Sequence, residues 1–178
     1  MRRIIPAVLM SLLVSVALAD EIPTDEESER KKHPCRHDER FRGFDFWIGE
    51  WDVSNPDGKQ VGRNTIRADA DGCMLFESWN GTAGSVGSSI NFIDPASGHW
   101  RQIWVDGSGG LIEVEGDLSD GAMHLVGTHT YRDGRRLPFR GSWTPLPDGR
   151  VRQLFEESTD EGKTWPTWFD GYYARRGD

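Results

Sequence analysis

The chain has 178 residues, enough for one ordinary domain. Eight Trp and an aromatic share of 11 % exclude a disordered chain, because that much aromatic surface calls for a packed core. A formal charge of −8 excludes nucleic acid as the main partner, since phosphate binding needs a basic surface.

In chain order, the first segment reads as a targeting signal. Arg2 and Arg3 precede an apolar run from Val8 to Leu18, and Ala17-Leu18-Ala19 has the small-x-small form of a cleavage site. A signal peptide is therefore expected over 1–19, with export to the periplasm or beyond. The run is shorter than the roughly 20 residues of a membrane span, so no stable membrane insertion is expected. Export places Cys35 and Cys73 in an oxidising compartment, where a disulfide is the expectation. Such a bridge closes about 38 residues, worth roughly 3–4 kcal/mol in the chain-entropy account. His33, Cys35 and His37 alternate like metal ligands, but no fourth ligand is evident and no metal is expected. Residues 20–40 hold one aliphatic side chain, Ile22, and a run of opposite charges, the composition of a flexible charged arm.

From residue 41 the composition changes. Short apolar-aromatic runs alternate with turn residues such as Asn55-Pro-Asp-Gly58, Asp133-Gly134 and Pro147-Asp-Gly149. About ten strands are expected, near 45–54, 60–68, 73–80, 85–93, 99–105, 110–117, 122–131, 136–144, 150–158 and 165–176. Tight turns between successive strands imply an antiparallel meander, whose edges are best hidden by closing residues 41–178 into an all-β up-and-down barrel. A two-sheet sandwich is the alternative.

Strand alternation assigns faces. Trp100, Gln102, Trp104 and Asp106 share one face, as do Leu75, Glu77 and Trp79, then Ser89, Asn91 and Ile93, and finally Asp170 with Tyr172. Aromatic and uncharged polar groups thus gather on one side. A filled core would use aliphatics alone, so the mixture suits a cavity holding an amphiphilic ligand. Glu113, Glu115 and Asp117 alternate opposite Ile112 and Val114 and are expected on the outer face.

Gly49-x-Trp51 opens the first strand and resembles the Gly-x-Trp of lipocalins and the wider calycin group. In those barrels the Trp closes the base beneath a basic side chain from near the last strand, a role the resemblance passes to Arg175 or Arg176. The longer string, FDFWIGEWDV, GCMLFESW, GSSINFIDP with HWRQIWVD, RQLFEES and FDGYYARR, is similar to an exported bacterial family of unknown function with a calycin-like barrel. The similarity spans Phe44 to Arg176 and implies barrel and export more than any activity. Ser158-Thr-Asp160-Glu-Gly162-Lys-Thr-Trp165 also fits the Asp-box of sialidase propellers. A single copy reads as a well-made hairpin turn.

Motifs for chemistry are few. No nucleophile elbow, P-loop or dinucleotide-binding glycine pattern is present, and no cofactor is expected. Acid–base catalysis would fall to Glu77, His129 or Asp170. His129 or His124 would be the heme ligand if the chain followed the heme-binding barrels of calycin-like architecture. The leading expectation is an exported barrel binding a small hydrophobic or amphiphilic molecule through Glu77, Trp79, Ser89, Asn91, Trp100, Gln102, Trp104 and Tyr172. The alternatives are a barrel enzyme (isomerase, cyclase or hydrolase) and an envelope protein-interaction module with exposed aromatics.

Overall fold

The computed structural model describes residues 24–177; the signal peptide expected over 1–19 lies outside them. Ten strands, β1 (Gly49–Ser54), β2 (Gln60–Asp69), β3 (Met74–Gly81), β4 (Val86–Ile93), β5 (Trp100–Asp106), β6 (Leu111–Ser119), β7 (Ala122–Thr130), β8 (Arg136–Pro145), β9 (Val151–Glu157) and β10 (Thr167–Arg175), follow one another around a closed antiparallel barrel. Each pairs with its chain neighbours, and β1 closes on β10 through Trp51 opposite Arg175 and Val53 opposite Tyr173. Closure leaves no sheet edge, so the sandwich is excluded and the architecture is compatible with a calycin-like fold.

The expected strand positions hold to within a few residues except at the start of β1. Asp45–Trp47 forms a single 3-10 turn instead of strand, with the Trp47 amide donating to Phe44 O at 3.1 Å. That turn drives Phe44 and Trp47 beneath the barrel, where both are fully buried. Trp47 stacks on Phe44 with centroids 5.0 Å apart, while Trp100 and Trp143 meet Phe44 edge-on at 5.6 and 5.3 Å. Such edge-to-face packing complements ring quadrupoles, and the cluster plugs one end of the barrel. Trp51 completes it, donating its indole N–H to Trp47 O at 2.9 Å.

The Gly-x-Trp pattern has a physical basis here. The Arg175 guanidinium sits 4.6 Å from the Trp51 ring and donates to Ile48 O at 3.3 Å. Gly49 has φ of +154°, and a Cβ there would lie 2.6 Å from Arg175 Nη1. Glycine is what lets the cation settle on the indole. Arg176 goes elsewhere, to Glu50 at 3.7 Å.

Before the barrel, α1 (Asp25–Lys32) and α2 (Pro34–His37) occupy part of the stretch read as an arm. The charge run is self-complementary as a helix. Acids fill its first turn and bases its last, Glu26 pairs with Arg30 and Glu27 with Lys31 at i,i+4, and Thr24 caps Glu27 N at 3.2 Å. No α1 residue is buried. Attachment comes from α2, where Cys35 is bridged to Cys73, as expected. His33 adds a hydrogen bond to Asp71, and Arg36 an ion pair to the same carboxylate. The bridge consumes the Cys35 thiolate, so the alternating His33, Cys35 and His37 are not a ligand set. Among the described residues no group of three or more His, Cys, Asp or Glu is placed to hold a metal ion.

Candidate functional site

Strand direction puts the loops at 55–59, 82–85, 107–110, 131–135 and 158–166 at the end opposite the plug. This is the mouth, and a cavity of about 1110 Å³ opens there, at the upper limit of small-molecule sites. Its walls are Trp79, Trp104, Ile112, Phe155 and Phe169, with Trp168 at the rim; its polar lining includes Glu77, Gln102, Gln153 and Tyr173.

Four inward-facing glycines keep this lumen open. A Cβ on Gly62 would lie 2.4 Å from the Trp79 ring, and one on Gly87 2.2 Å from the Trp104 ring. Gly141 and Gly171 stand in the same relation to Phe155 and Phe169, each at 2.5 Å. Each ring therefore lies against the wall over a missing side chain instead of reaching across the barrel.

Below the rings runs a hydrogen-bonded polar belt. Glu77 is only 3 % exposed. Its Oε1 accepts from Asn64 Nδ2 at 2.7 Å and its Oε2 from Ser89 Oγ at 2.5 Å. Ser89 Oγ in turn accepts from Asn91 Nδ2 at 2.9 Å, and Gln102 Nε2 donates to Asn91 Oδ1 at 2.8 Å. On the other side Asn64 Nδ2 approaches the Tyr173 hydroxyl at 3.4 Å, and that hydroxyl donates to Gln153 Oε1. Burial raises the Glu77 carboxyl from its usual 4.5 to about 7, against the lowering effect of Ser89 and Asn64. Burial, then the charge on Glu77, holds the Tyr173 phenol well above 10.

A smaller recess of about 640 Å³ adjoins the mouth, bordered by Asp106, Ser108, His129, Tyr131, Arg135 and Trp168 among others. His129 Nδ1 lies 2.7 Å from Glu157 Oε2, and the Tyr131 hydroxyl donates to both Glu157 oxygens at 2.8 and 2.9 Å. The His129 ring stacks on Tyr131 at 4.0 Å and meets the edges of Phe139 and Trp168.

The structure divides the residues expected at the ligand. Glu77, Trp79, Gln102 and Trp104 line the cavity together. Ser89 and Asn91 sit behind Glu77 and fix it. Trp100 belongs to the plug, its indole N–H donating to Arg40 O at 3.2 Å. Asp170 and Tyr172 require correction, because the lumen-facing set of β10 is Phe169, Gly171 and Tyr173. Asp170 borders the mouth, but both its oxygens are taken by Arg152 at 2.9 and 2.8 Å, a pairing across the outer face. Tyr172 lies beneath Arg150 and Arg152. An Asp with an Arg partner two positions along the neighbouring strand gains more outside than in an unpaired lumen. His124 also faces outward and is exposed, so it is no cavity ligand.

Asn64, Gln153, Tyr173, Phe155 and Phe169 were missed from sequence. The signal was present in Gly62-Asn64-Ile66 alternating with Arg63, Thr65 and Arg67, and in Val151-Gln153-Phe155 alternating with Arg152 and Glu156. The Asp-box forms the hairpin its spacing describes. Ser158 Oγ accepts from Gly162 N at 2.7 Å, Asp160 Oδ1 from Thr164 N at 2.8 Å, and the Trp165 indole donates to Gly162 O at 3.0 Å. Hydrogen bonds led by Thr164 pull the Asp160 carboxyl down to about 2.

No family model matches the chain, and no curated protein matches it either. The site must be read from its own geometry.

Proposed function

We propose that the protein is an exported barrel that takes a small hydrophobic or amphiphilic molecule into its mouth-side cavity. One observation carries the reading: a cavity of about 1110 Å³ with aromatic walls above a polar patch centred on the buried Glu77. A packing core would fill that volume, whereas glycines at 62, 87, 141 and 171 hold the rings back from it. The disulfide is consistent with an oxidising compartment, and the proposal places the chain in the periplasm or outside the cell, within the exported calycin-like family its strings resemble. Among the described residues no helix is long and apolar enough to cross a membrane. The outer barrel face carries ion pairs such as Arg101–Glu113, Arg140–Glu156 and Arg152–Asp170, which favours water around it over lipid.

Native mass spectrometry of protein purified from its own envelope tests the reading. The expected result is a retained mass of a few hundred daltons. A bare chain mass, together with no binding of an apolar fluorophore, would overturn it.

A second reading, acid–base catalysis, draws on His129, which lies against Glu157 in the recess beside the cavity mouth. It requires the occupant to be converted. An NMR spectrum of the extracted occupant that is identical before and after incubation with fresh protein sinks it.

A further inference from the structure

We infer that the cavity selects a cationic amphiphile, with an ammonium head set against Glu77 beneath the aromatic rings and an apolar body directed to the mouth. This rests on the ligand-binding reading above and assigns its chemical class.

The first support is a charge census around Glu77. Its hydrogen-bond partners, Asn64 and Ser89, are both neutral, and among the described residues no cation pairs with it. The polar groups that surround it from the packed strands are Asn64 on β2, Ser89 and Asn91 on β4, Gln102 on β5, Gln153 on β9 and Tyr173 on β10. Tyr173 alone among these titrates, and its phenol stays neutral. Lys59 borders the cavity, but from the mouth loop that precedes β2. A buried carboxylate without a counter-charge is costly, and a cation brought by the ligand supplies what the protein leaves out.

The second support is the wall chemistry. Three ring atoms of Trp104 lie within 2.8 Å of where a Gly87 Cβ would be, so the indole lies against that strand while lining the lumen. Trp79 covers Gly62 in the same way, and Phe155 and Phe169 line the space beside them. Ring faces are electronegative and attract a desolvated ammonium. A carboxylate head would meet both Glu77 and those faces and be repelled. A hydroxyl head could bond Glu77 but would gain nothing from the rings.

The pH dependence follows with its sign. Above about 7 the free carboxyl is ionised and the cation finds its partner; below that value it is protonated and the attraction is lost. Affinity for a permanent cation therefore rises with pH.

The experiment is calorimetric titration of the disulfide-intact protein with decyltrimethylammonium, decanol and decanoate, the two ions below their micelle concentrations and the alcohol below its solubility limit. Decyltrimethylammonium carries a charge that does not titrate, so any pH dependence belongs to the protein. At pH 8.5 it is expected to bind about tenfold tighter than decanol, with decanoate weakest. The advantage should shrink about tenfold at pH 5.5 and disappear in Glu77→Gln. Equal binding of the cation and the alcohol at pH 8.5, or a preference that survives in Glu77→Gln, would overturn the cation assignment while leaving the cavity reading intact. Binding of none of the three would overturn both. The wild-type pH series decides the matter if Glu77→Gln fails to fold, a flat profile being the overturning result.

Discussion

At the base of the barrel Trp47, Trp100 and Trp143 pack on Phe44 and Trp51 packs on Tyr173, whereas at the mouth Trp79 and Trp104 lie against the wall and leave the lumen open. Both ends draw on the same residue type, and β5 supplies one indole to each, Trp100 to the base and Trp104 to the mouth. What differs is the neighbour of each ring. At the base a 3-10 turn feeds Phe44 and Trp47 up between the strand ends, so every indole finds an aromatic partner. At the mouth Gly62 and Gly87 give each indole a bare stretch of backbone to lie on. Whether a barrel end is solid or hollow is decided here by what stands beside the large residues, not by how many there are.

The comparison breaks most readily at the plug. Trp47→Ala is expected to cost about 3–5 kcal/mol, because the indole is fully buried among rings that cannot all collapse into the gap. For a domain of this size that lowers the melting temperature by about 10 °C. The same truncation at the mouth, Trp104→Ala, removes a ring already facing open space and should cost less than about 2 kcal/mol. Equal shifts in thermal melts followed by circular dichroism would show that the two ends are packed alike.

A smaller effect, of roughly 3 kcal/mol, sits at the boundary between the two halves. Glu77 has its folded pKa raised to about 7 from an ordinary 4.5. Between those values the folded state holds a proton the unfolded state has released, so stability is complete below about 4.5 and falls as pH rises toward about 7. Glu77→Gln mimics the protonated form. It should match the wild type near pH 4.5 and be more stable at pH 8, as read from urea midpoints. Parallel pH profiles for the two proteins would mean the carboxylate is solvated.

A further effect on stability, of about 1–3 kcal/mol, is expected from Gly87→Ala. The added methyl collides with the Trp104 ring and must swing it into the lumen. Its main readout is therefore occupancy: an apolar fluorophore should bind severalfold more weakly. Unchanged fluorophore binding would remove the glycines from the account of the hollow end.

Much of the fold was legible in the chain because turn chemistry is local. Asp- and Gly-bearing turns marked nearly every hairpin, and alternation in β3, β4 and β5 put Glu77, Ser89, Asn91, Gln102 and Trp104 on one face. The start of β1 was misread because an apolar-aromatic run such as Phe44-Asp-Phe-Trp47 serves a plug as well as a strand. In β10 the faces were inverted for a related reason. Asp170 with Tyr172 and Phe169 with Tyr173 both alternate correctly, and only the Arg152 partner across the outer face decides between them.

About ten strands, their antiparallel order and the Cys35–Cys73 bridge are legible in the chain alone, since each depends on residues close in the chain or on a single possible pairing. The tertiary structure decided which end is plugged, that Trp100 belongs to the plug and Trp104 to the cavity, and that Asn64, Gln153 and Tyr173 join Glu77 in one belt. A period of two tells which side chains share a face of one strand. Only closing ten strands into a ring sets the depth at which each of them meets the others.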